Sequence, residues 1–538
     1  MSEAFLLEVD GLRIETEGPE PRALLEGLSF TLRPGERLGI VGESGSGKTM
    51  ATRAIPRLLS PGVRIVAGRI RFDGRDLTTA SEEELRAVRG AGIGLVFQEP
   101  MTSLNPALKI GRQLAEGLAL HRRLGDAEMR ERIVAMLRRV RIKDPEAALD
   151  RYPHEFSGGM RQRIMLASVL LLAPKLVIAD EPTTALDTLS QREVLELMVE
   201  LTAEFGTGLL LITHDLGLVA QYTDRALVLE KGVLVEEGDT RQVLSAPKHP
   251  YTAKLVGSMP KRVEDRQPVA DTSPVLEIDG AVVEYAGKSG LLRSAAPVRV
   301  IDGVELTVRP GEIVALVGGS GSGKTTLGRA SLGLKPLAGG EIRFRGVPLG
   351  QMSRGQRADF RRAAQLVFQD PFSSLDPRMR IGEIVGATLR HVPGIDRAER
   401  RRRVAASLAD VGLTGFGDRL PHQMSGGQRQ RVAIARAIVG DPDLIVADEP
   451  VSALDLTIQL QVLSLMQRLQ AERGFACLFI THDLAVVEQI ADRVVVLDQG
   501  RIVEEGATEA VFADPRSGYT RELLAATPGL ALRALAEA

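Results

Sequence analysis

At 538 residues the chain is longer than one hydrophobic core normally serves, so roughly two to four domains are expected. Its 68 basic and 70 acidic residues leave a formal net charge of -2, which argues against a general electrostatic grip on nucleic acid. With 44% hydrophobic and 26% charged residues the composition is that of an ordinary folded chain, neither disordered nor fibrous.

The N-terminal segment MSEAFLLEVDG carries acidic residues and lacks an uninterrupted apolar core, so it does not read as a signal peptide. GERLGIVG then reads as a buried strand running into a loop, GESGSGKT from Gly42 to Thr49. A second apolar element ends in LVFQEP around Gln98, and AEMRERIVAMLRRVRI has apolar residues at helical spacing, which predicts an inserted helical subdomain. After SGGMRQR comes the apolar stretch Ile164 to Ala173, shorter than the roughly 20 residues that span a bilayer, so any membrane role is expected to come through a partner. KLVIADE is a second buried strand, and ITHDL follows around His214.

Five landmarks then recur. GESGSGKT at Gly42 returns as GGSGSGKT at Gly318, and LVFQEP around Gln98 as LVFQDP around Gln369. SGGMRQR at Ser157 returns as SGGQRQR at Ser425, ADEP at Ala179 as ADEP at Ala447, and ITHDL around His214 as ITHDL around His482. The last three pairs share one offset, whereas the first two are offset slightly further. Constant spacing over the later landmarks means two copies of one α/β fold, with the unequal early segments expected in surface loops. Domains are expected over 1–261 and 275–538, and RVEDRQPVADTSP, which has no hydrophobic periodicity, is the linker at 262–274. The lone cysteine, Cys477, excludes an intrachain disulfide framework and a cysteine-ligated metal or iron–sulfur cluster, and is expected to be a small packing residue.

The repeated motifs carry phosphate chemistry. A glycine-rich loop between strand and helix lets backbone N–H groups wrap phosphates where a Cβ would obstruct, and the helix N-terminus adds a favourable dipole. That role falls to Gly42, Glu43, Ser44, Gly45, Ser46, Gly47, Lys48 and Thr49, and to Gly318, Gly319, Ser320, Gly321, Ser322, Gly323, Lys324 and Thr325. Lys48 and Lys324 would reach the terminal phosphates of ATP, and the hydroxyls of Thr49 and Thr325 would bind Mg2+. Asp180 and Asp448 are candidate magnesium-shell carboxylates, and the adjacent Glu181 and Glu449 would polarise an attacking water. The amides of Gln98 and Gln369 can bind magnesium or water, and His214 and His482 can sense a terminal phosphate. Ser157, Gly158 and Gly159, with Ser425, Gly426 and Gly427, open a second kind of phosphate-facing helix.

In this order and spacing the series resembles the ATP-binding cassette family. The resemblance implies, in each half, a RecA-like P-loop core, a helical subdomain and an N-terminal antiparallel β region. It also implies two ATP sites, each pairing one half's loop with the other half's SGG segment. Family members usually stack adenine on an aromatic residue after the first strand, a place that Tyr285 in VVEYAG fits, whereas Thr16 in LRIETEG aligns with it in the first half. The segments EPMTSLNP and DPFSSLDP and the tails HPYTAKLV and SGYTRELL resemble the oligopeptide, dipeptide and nickel importer ATPases, in the form that fuses both cassettes. That subfamily implies two transmembrane permease subunits, an extracytoplasmic solute-binding protein and a place on the cytoplasmic face of a bacterial membrane. A soluble tandem cassette acting on ribosomes or in DNA repair is the alternative. The short linker and the presence of one cysteine alone, too few for a zinc module, speak against it, and no nucleic-acid partner is expected.

Overall fold

The computed structural model describes residues 5–97, 103–183, 186–258, 272–286, 296–370, 374–390, 392, 394–452 and 454–530. They divide into two compact units, one within 1–258 and one within 259–527, with the short segment from Pro528 grouped with the first. The segment read as the linker falls largely outside the described residues.

In the first unit β1 (Leu7–Thr16), β2 (Ala23–Leu32), β4 (Val63–Phe72) and β5 (Arg75–Asp76) form an antiparallel sheet in the order β2-β1-β4-β5. Leu7 and Val9 are buried on β1, and after an irregularity in the register Leu12 and Ile14 are buried, so one face of the strand stays apolar. This is the antiparallel β region that the family resemblance implies.

The second sheet runs β10-β9-β3-β8-β7-β6, from β3 (Arg37–Val41), β6 (Ile93–Val96), β7 (Leu176–Asp180), β8 (Gly208–Thr213), β9 (Arg225–Glu230) and β10 (Val233–Asp239). All its pairings are parallel except that of β10 with β9. Both faces are covered, which is why LGIV and LVIA are continuously apolar instead of alternating. Ile178, Leu210, Ile212 and Ile40 pack with the antiparallel sheet. Val177, Ala179, Leu209 and Leu211 face the helices on the other side.

That second face carries the inserted helices. Ile110–His121 and Asp126–Arg139 lay Ile110, Leu114, Leu118, Ile133 and Leu137 against Ile164, Leu166 and Leu170 of helix Gly158–Leu170. The helical period read in AEMRERIVAMLRRVRI is therefore the period of a buried stripe.

The second unit repeats the plan. Its antiparallel sheet is β12-β11-β14-β15, from β11 (Leu276–Tyr285), β12 (Val298–Val308), β14 (Gly339–Phe344) and β15 (Val347–Pro348). Its larger sheet is β16-β17-β18-β13-β19-β20, from β13 (Ile313–Val317), β16 (Ala364–Val367), β17 (Leu444–Asp448), β18 (Ala476–Ile480), β19 (Arg493–Asp498) and β20 (Arg501–Ala507). The order is the same strand for strand. Cys477 is buried in β18 beside Ile313 and Ile445, and burial raises its thiol pKa to about 12. It is a packing residue. Among the described residues no helix is long and apolar enough to cross a membrane.

Candidate functional site

In each unit the chemistry collects at the C-terminal ends of the central parallel strands, the end at which open α/β sheets place their ligands. The loop Gly42–Thr49 joins β3 to helix Lys48–Ala54, and Gly318–Thr325 joins β13 to helix Lys324–Ser331. Gly42 and Gly47, like Gly318 and Gly323, are required by geometry. A Cβ on Gly42 would lie 2.2 Å from the Leu229 carbonyl oxygen, and one on Gly318 would lie 2.1 Å from that of Leu497. Gly47 and Gly323 have φ of 96° and 107°, in the left-handed region that L-residues avoid. Among the described residues no side chain caps either helix N-terminus, which suits that end to an anion.

Both lysines are buried over their own loops. Lys48 Nζ donates to the carbonyls of Gly42 at 2.7 Å and Glu43 at 2.9 Å, and Lys324 Nζ donates to those of Gly318 and Gly319, both at 2.8 Å. From the first helical turn Thr49 Oγ1 donates to Asp180 Oδ1 at 3.4 Å, and Thr325 Oγ1 to Asp448 Oδ1 at 3.0 Å. Burial, with the charge of the neighbouring glutamate, raises the pKa of both aspartates, against the opposing Thr325 bond at Asp448. A hydroxyl beside one carboxylate, half-buried at Asp180 and buried at Asp448, fits Mg2+, which keeps several waters and takes its other ligands from phosphates.

The residue that follows each strand turns sharply. Glu181 and Glu449 have φ of 47° and 46°, an unfavourable left-handed backbone for glutamate. The adjoining strand holds each in place, since Glu181 N–H donates to Ile212 O and Glu449 N–H to Ile480 O, both at 2.9 Å. His214 Nδ1 lies 3.1 Å from Glu181 Oε1, and His482 Nδ1 lies 3.3 Å from Glu449 Oε1. Burial disfavours charge on both histidines, yet the hydrogen bond and charge of the glutamate outweigh it and raise their pKa. Burial likewise opposes ionisation of Glu449, but His482 holds its carboxyl below the usual range. Gln369 Nε2 donates to the other oxygen of Glu449 at 2.7 Å. Gln98 lies outside the described residues.

Strands β1 and β11 are equally long, so their ends correspond and Thr16 stands where Tyr285 does. Tyr285 is 36% exposed, has Lys335 Nζ 4.4 Å from its ring centroid, and shares a 3.3 Å hydrogen bond with Thr326 Oγ1. Thr16 Oγ1 instead accepts from Arg22 N–H at 2.9 Å and closes a turn.

Ser157 and Ser425 are N-caps, accepting from the N–H of Met160 and Gln428, both at 3.3 Å. In the second unit Gln428 Oε1 also accepts from Ser425 N–H at 3.0 Å, completing a capping box that Met160 cannot form. Gly158 and Gly159 pack beside Leu186 and Ser190, and Gly427 beside Ile458.

Sequence reasoning did not single out Tyr251 and Tyr519 as site residues, although both lie in the repeated tails. Their hydroxyls accept from the second residue of each loop, Tyr251 from Glu43 N–H at 3.0 Å and Tyr519 from Gly319 N–H at 2.7 Å. The signal was available in the offset between the two tails, which is the offset of the later landmarks.

The family model described as "ABC transporter" matches 25–184 and 301–452, covering both loops, both glutamates and both SGG segments. The chain belongs to the ATP-binding cassette transporter family. A second model, "Oligopeptide/dipeptide transporter, C-terminal region", matches 235–277, the first tail. Among curated proteins, the peptidoglycan transport ATP-binding protein YejF of Agrobacterium fabrum is 45% identical over 95% of this chain and 94% of its own length. The glutathione import ATP-binding protein GsiA of Escherichia coli K12 is 43% identical over 97% of this chain and 89% of its own. Among solved structures, a dimeric ATP-binding cassette bound to ADP and Pi in a post-hydrolysis state is 29% identical, with a TM-score of 0.39 over 43% of this chain and 98% of that one. This ABC protein is thus a tandem ATP-binding ATPase of the oligopeptide/dipeptide transporter class, coupled to import as part of a membrane-associated complex.

Proposed function

We propose that both halves hydrolyse ATP, and that the chain powers a binding-protein-dependent importer of peptides or related small solutes. The observation that carries the catalytic reading is the same arrangement made twice: a loop lysine, a threonine–aspartate pair, and a glutamate paired with a histidine at one end of the sheet.

Loop amides and Lys48 or Lys324 bind and orient the phosphates. Thr49 with Asp180, and Thr325 with Asp448, would hold Mg2+, and the amides of Gln98 and Gln369 would join them. When bound, Mg2+ supplies neutralisation of phosphate charge. Glu181 and Glu449 orient the attacking water and accept its hydrogen bond, with Glu449 kept anionic by His482. His214 and His482 fix the glutamates and contact the terminal phosphate. The family resemblance implies a partner SGG segment for each loop: Ser425, Gly426 and Gly427 for the first, Ser157, Gly158 and Gly159 for the second.

Domains of 1–261 and 275–538 joined at 262–274 account for this doubling. Two permease subunits and an extracytoplasmic solute-binding protein complete the importer, with the chain at the cytoplasmic face of a bacterial inner or plasma membrane. Peptides lead as the solute because the first tail matches the oligopeptide/dipeptide model, and relatives named for glutathione and peptidoglycan transport widen the class to peptide-like compounds.

Steady-state hydrolysis by the importer complex tests the catalytic assignment. Glu181→Gln or Glu449→Gln alone should leave measurable turnover, and both together should abolish it. Parental activity in the double variant would refute the roles given to these glutamates.

A further inference from the structure

The tails identify the transporter class by resemblance, but nothing in that resemblance says what they do. Their geometry ties them to the nucleotide loops. In the first unit Glu236, on β10, accepts the N–H groups of Lys248 at 2.9 Å and His249 at 3.0 Å, which fixes the start of helix Pro250–Gly257. Tyr251, in the first turn of that helix, is buried, and its hydroxyl accepts from Glu43 N–H. One turn later Lys254 Nζ lies 3.5 Å from Glu43 Oε1.

The second unit builds the same chain of contacts. Glu504, on β20, accepts from Arg516 N–H at 2.8 Å and Ser517 N–H at 3.0 Å, ahead of helix Gly518–Ala526. Tyr519 then accepts from Gly319 N–H. Glutamate and tyrosine both recur at the offset of the later landmarks, while the residue they serve changes from Glu43 to Gly319. The backbone amide is therefore the shared target. The Lys254–Glu43 ion pair is an addition of the first unit.

We propose that Tyr251 and Tyr519 are positioning residues of the two nucleotide sites, each latching the second residue of its glycine-rich loop so that the amides behind it enter binding already ordered. This rests on the assignment of these loops as nucleotide sites. A glycine-rich loop is costly to order, and an acceptor fixed on a separate helix removes part of that cost before the phosphate arrives. Replacement of tyrosine by phenylalanine keeps the ring packing and removes only the hydroxyl that accepts this bond.

The test uses the full-length chain and a fluorescent ATP analogue with Mg2+. In a Lys324→Ala background only the first loop should bind, and Tyr251→Phe should weaken binding there by roughly three- to tenfold. In a Lys48→Ala background Tyr519→Phe should do the same at the second loop, while each tyrosine variant leaves the opposite loop unchanged. Amide exchange at Glu43 or Gly319 should accelerate in the matching variant, and the melting temperature without nucleotide should stay within about 2 °C of the parent. Unchanged affinity in both variants would overturn the proposal, as would equal losses at both loops, which would mark a global structural effect. Binding that survives the Lys48→Ala/Lys324→Ala double variant would overturn instead the assignment of the loops.

Discussion

Glu181 and Glu449 illustrate what a sequence conceals at the level of a residue. Their place after an apolar strand marks them as carboxylates at the end of a sheet, but the left-handed backbone that aims them is set by a hydrogen bond to a neighbouring strand remote in sequence, at Ile212 or Ile480. The difference between Thr16 and Tyr285 was legible, because the two end strands of equal length. What could not be read was that Thr16 is already engaged with Arg22, and that Lys335 lies against the Tyr285 ring. Base stacking on an aromatic ring is worth about 1–3 kcal/mol. Tyr285→Ala should therefore weaken nucleotide binding at the second loop by about that amount and leave the first loop unaffected. Calorimetric titration of chains with one loop disabled measures this, and equal affinities before and after the change would remove Tyr285 from the site.

Among the elements, the strands were the easiest to read, since runs such as LVIA are apolar throughout only when both faces of a sheet are covered. The inserted helices were legible from their stripe, though which surface received it was not. Leu137 is fully buried in that interface, so Leu137→Ala should destabilise the first unit by about 2–5 kcal/mol in denaturant unfolding. A loss no larger than that of an ordinary exposed position, within about 0.5 kcal/mol, would mean that the helical layer is not packed as described. Cys477 offers a second check on the same scale. Burial in β18 and a thiol pKa raised to about 12 leave almost no thiolate at neutral pH, so maleimide should label it only after unfolding in urea. Rapid labelling of the native chain would place that strand elsewhere. The antiparallel β region was expected from the family resemblance alone, because its strands have mixed burial and weaker patterning.

For the whole molecule, the repeat was the strongest signal, and it carried both the fold and the family. The solute did not appear in it, since the residues that keep the constant spacing serve phosphate chemistry and packing. In the importer reading the chain should co-purify with its permeases only in the presence of detergent-solubilised membrane. Sedimentation with ribosomes would favour the alternative. The central claim is narrower: one chain holds two separate, working ATP sites. Equilibrium binding of radiolabelled ATP to the Glu181→Gln/Glu449→Gln chain, which should bind without turning over, counts them directly. Two ATP per chain are expected, falling to one when either Lys48 or Lys324 is changed to alanine and to none when both are. A single ATP per chain, lost with one lysine and indifferent to the other, would contradict the account.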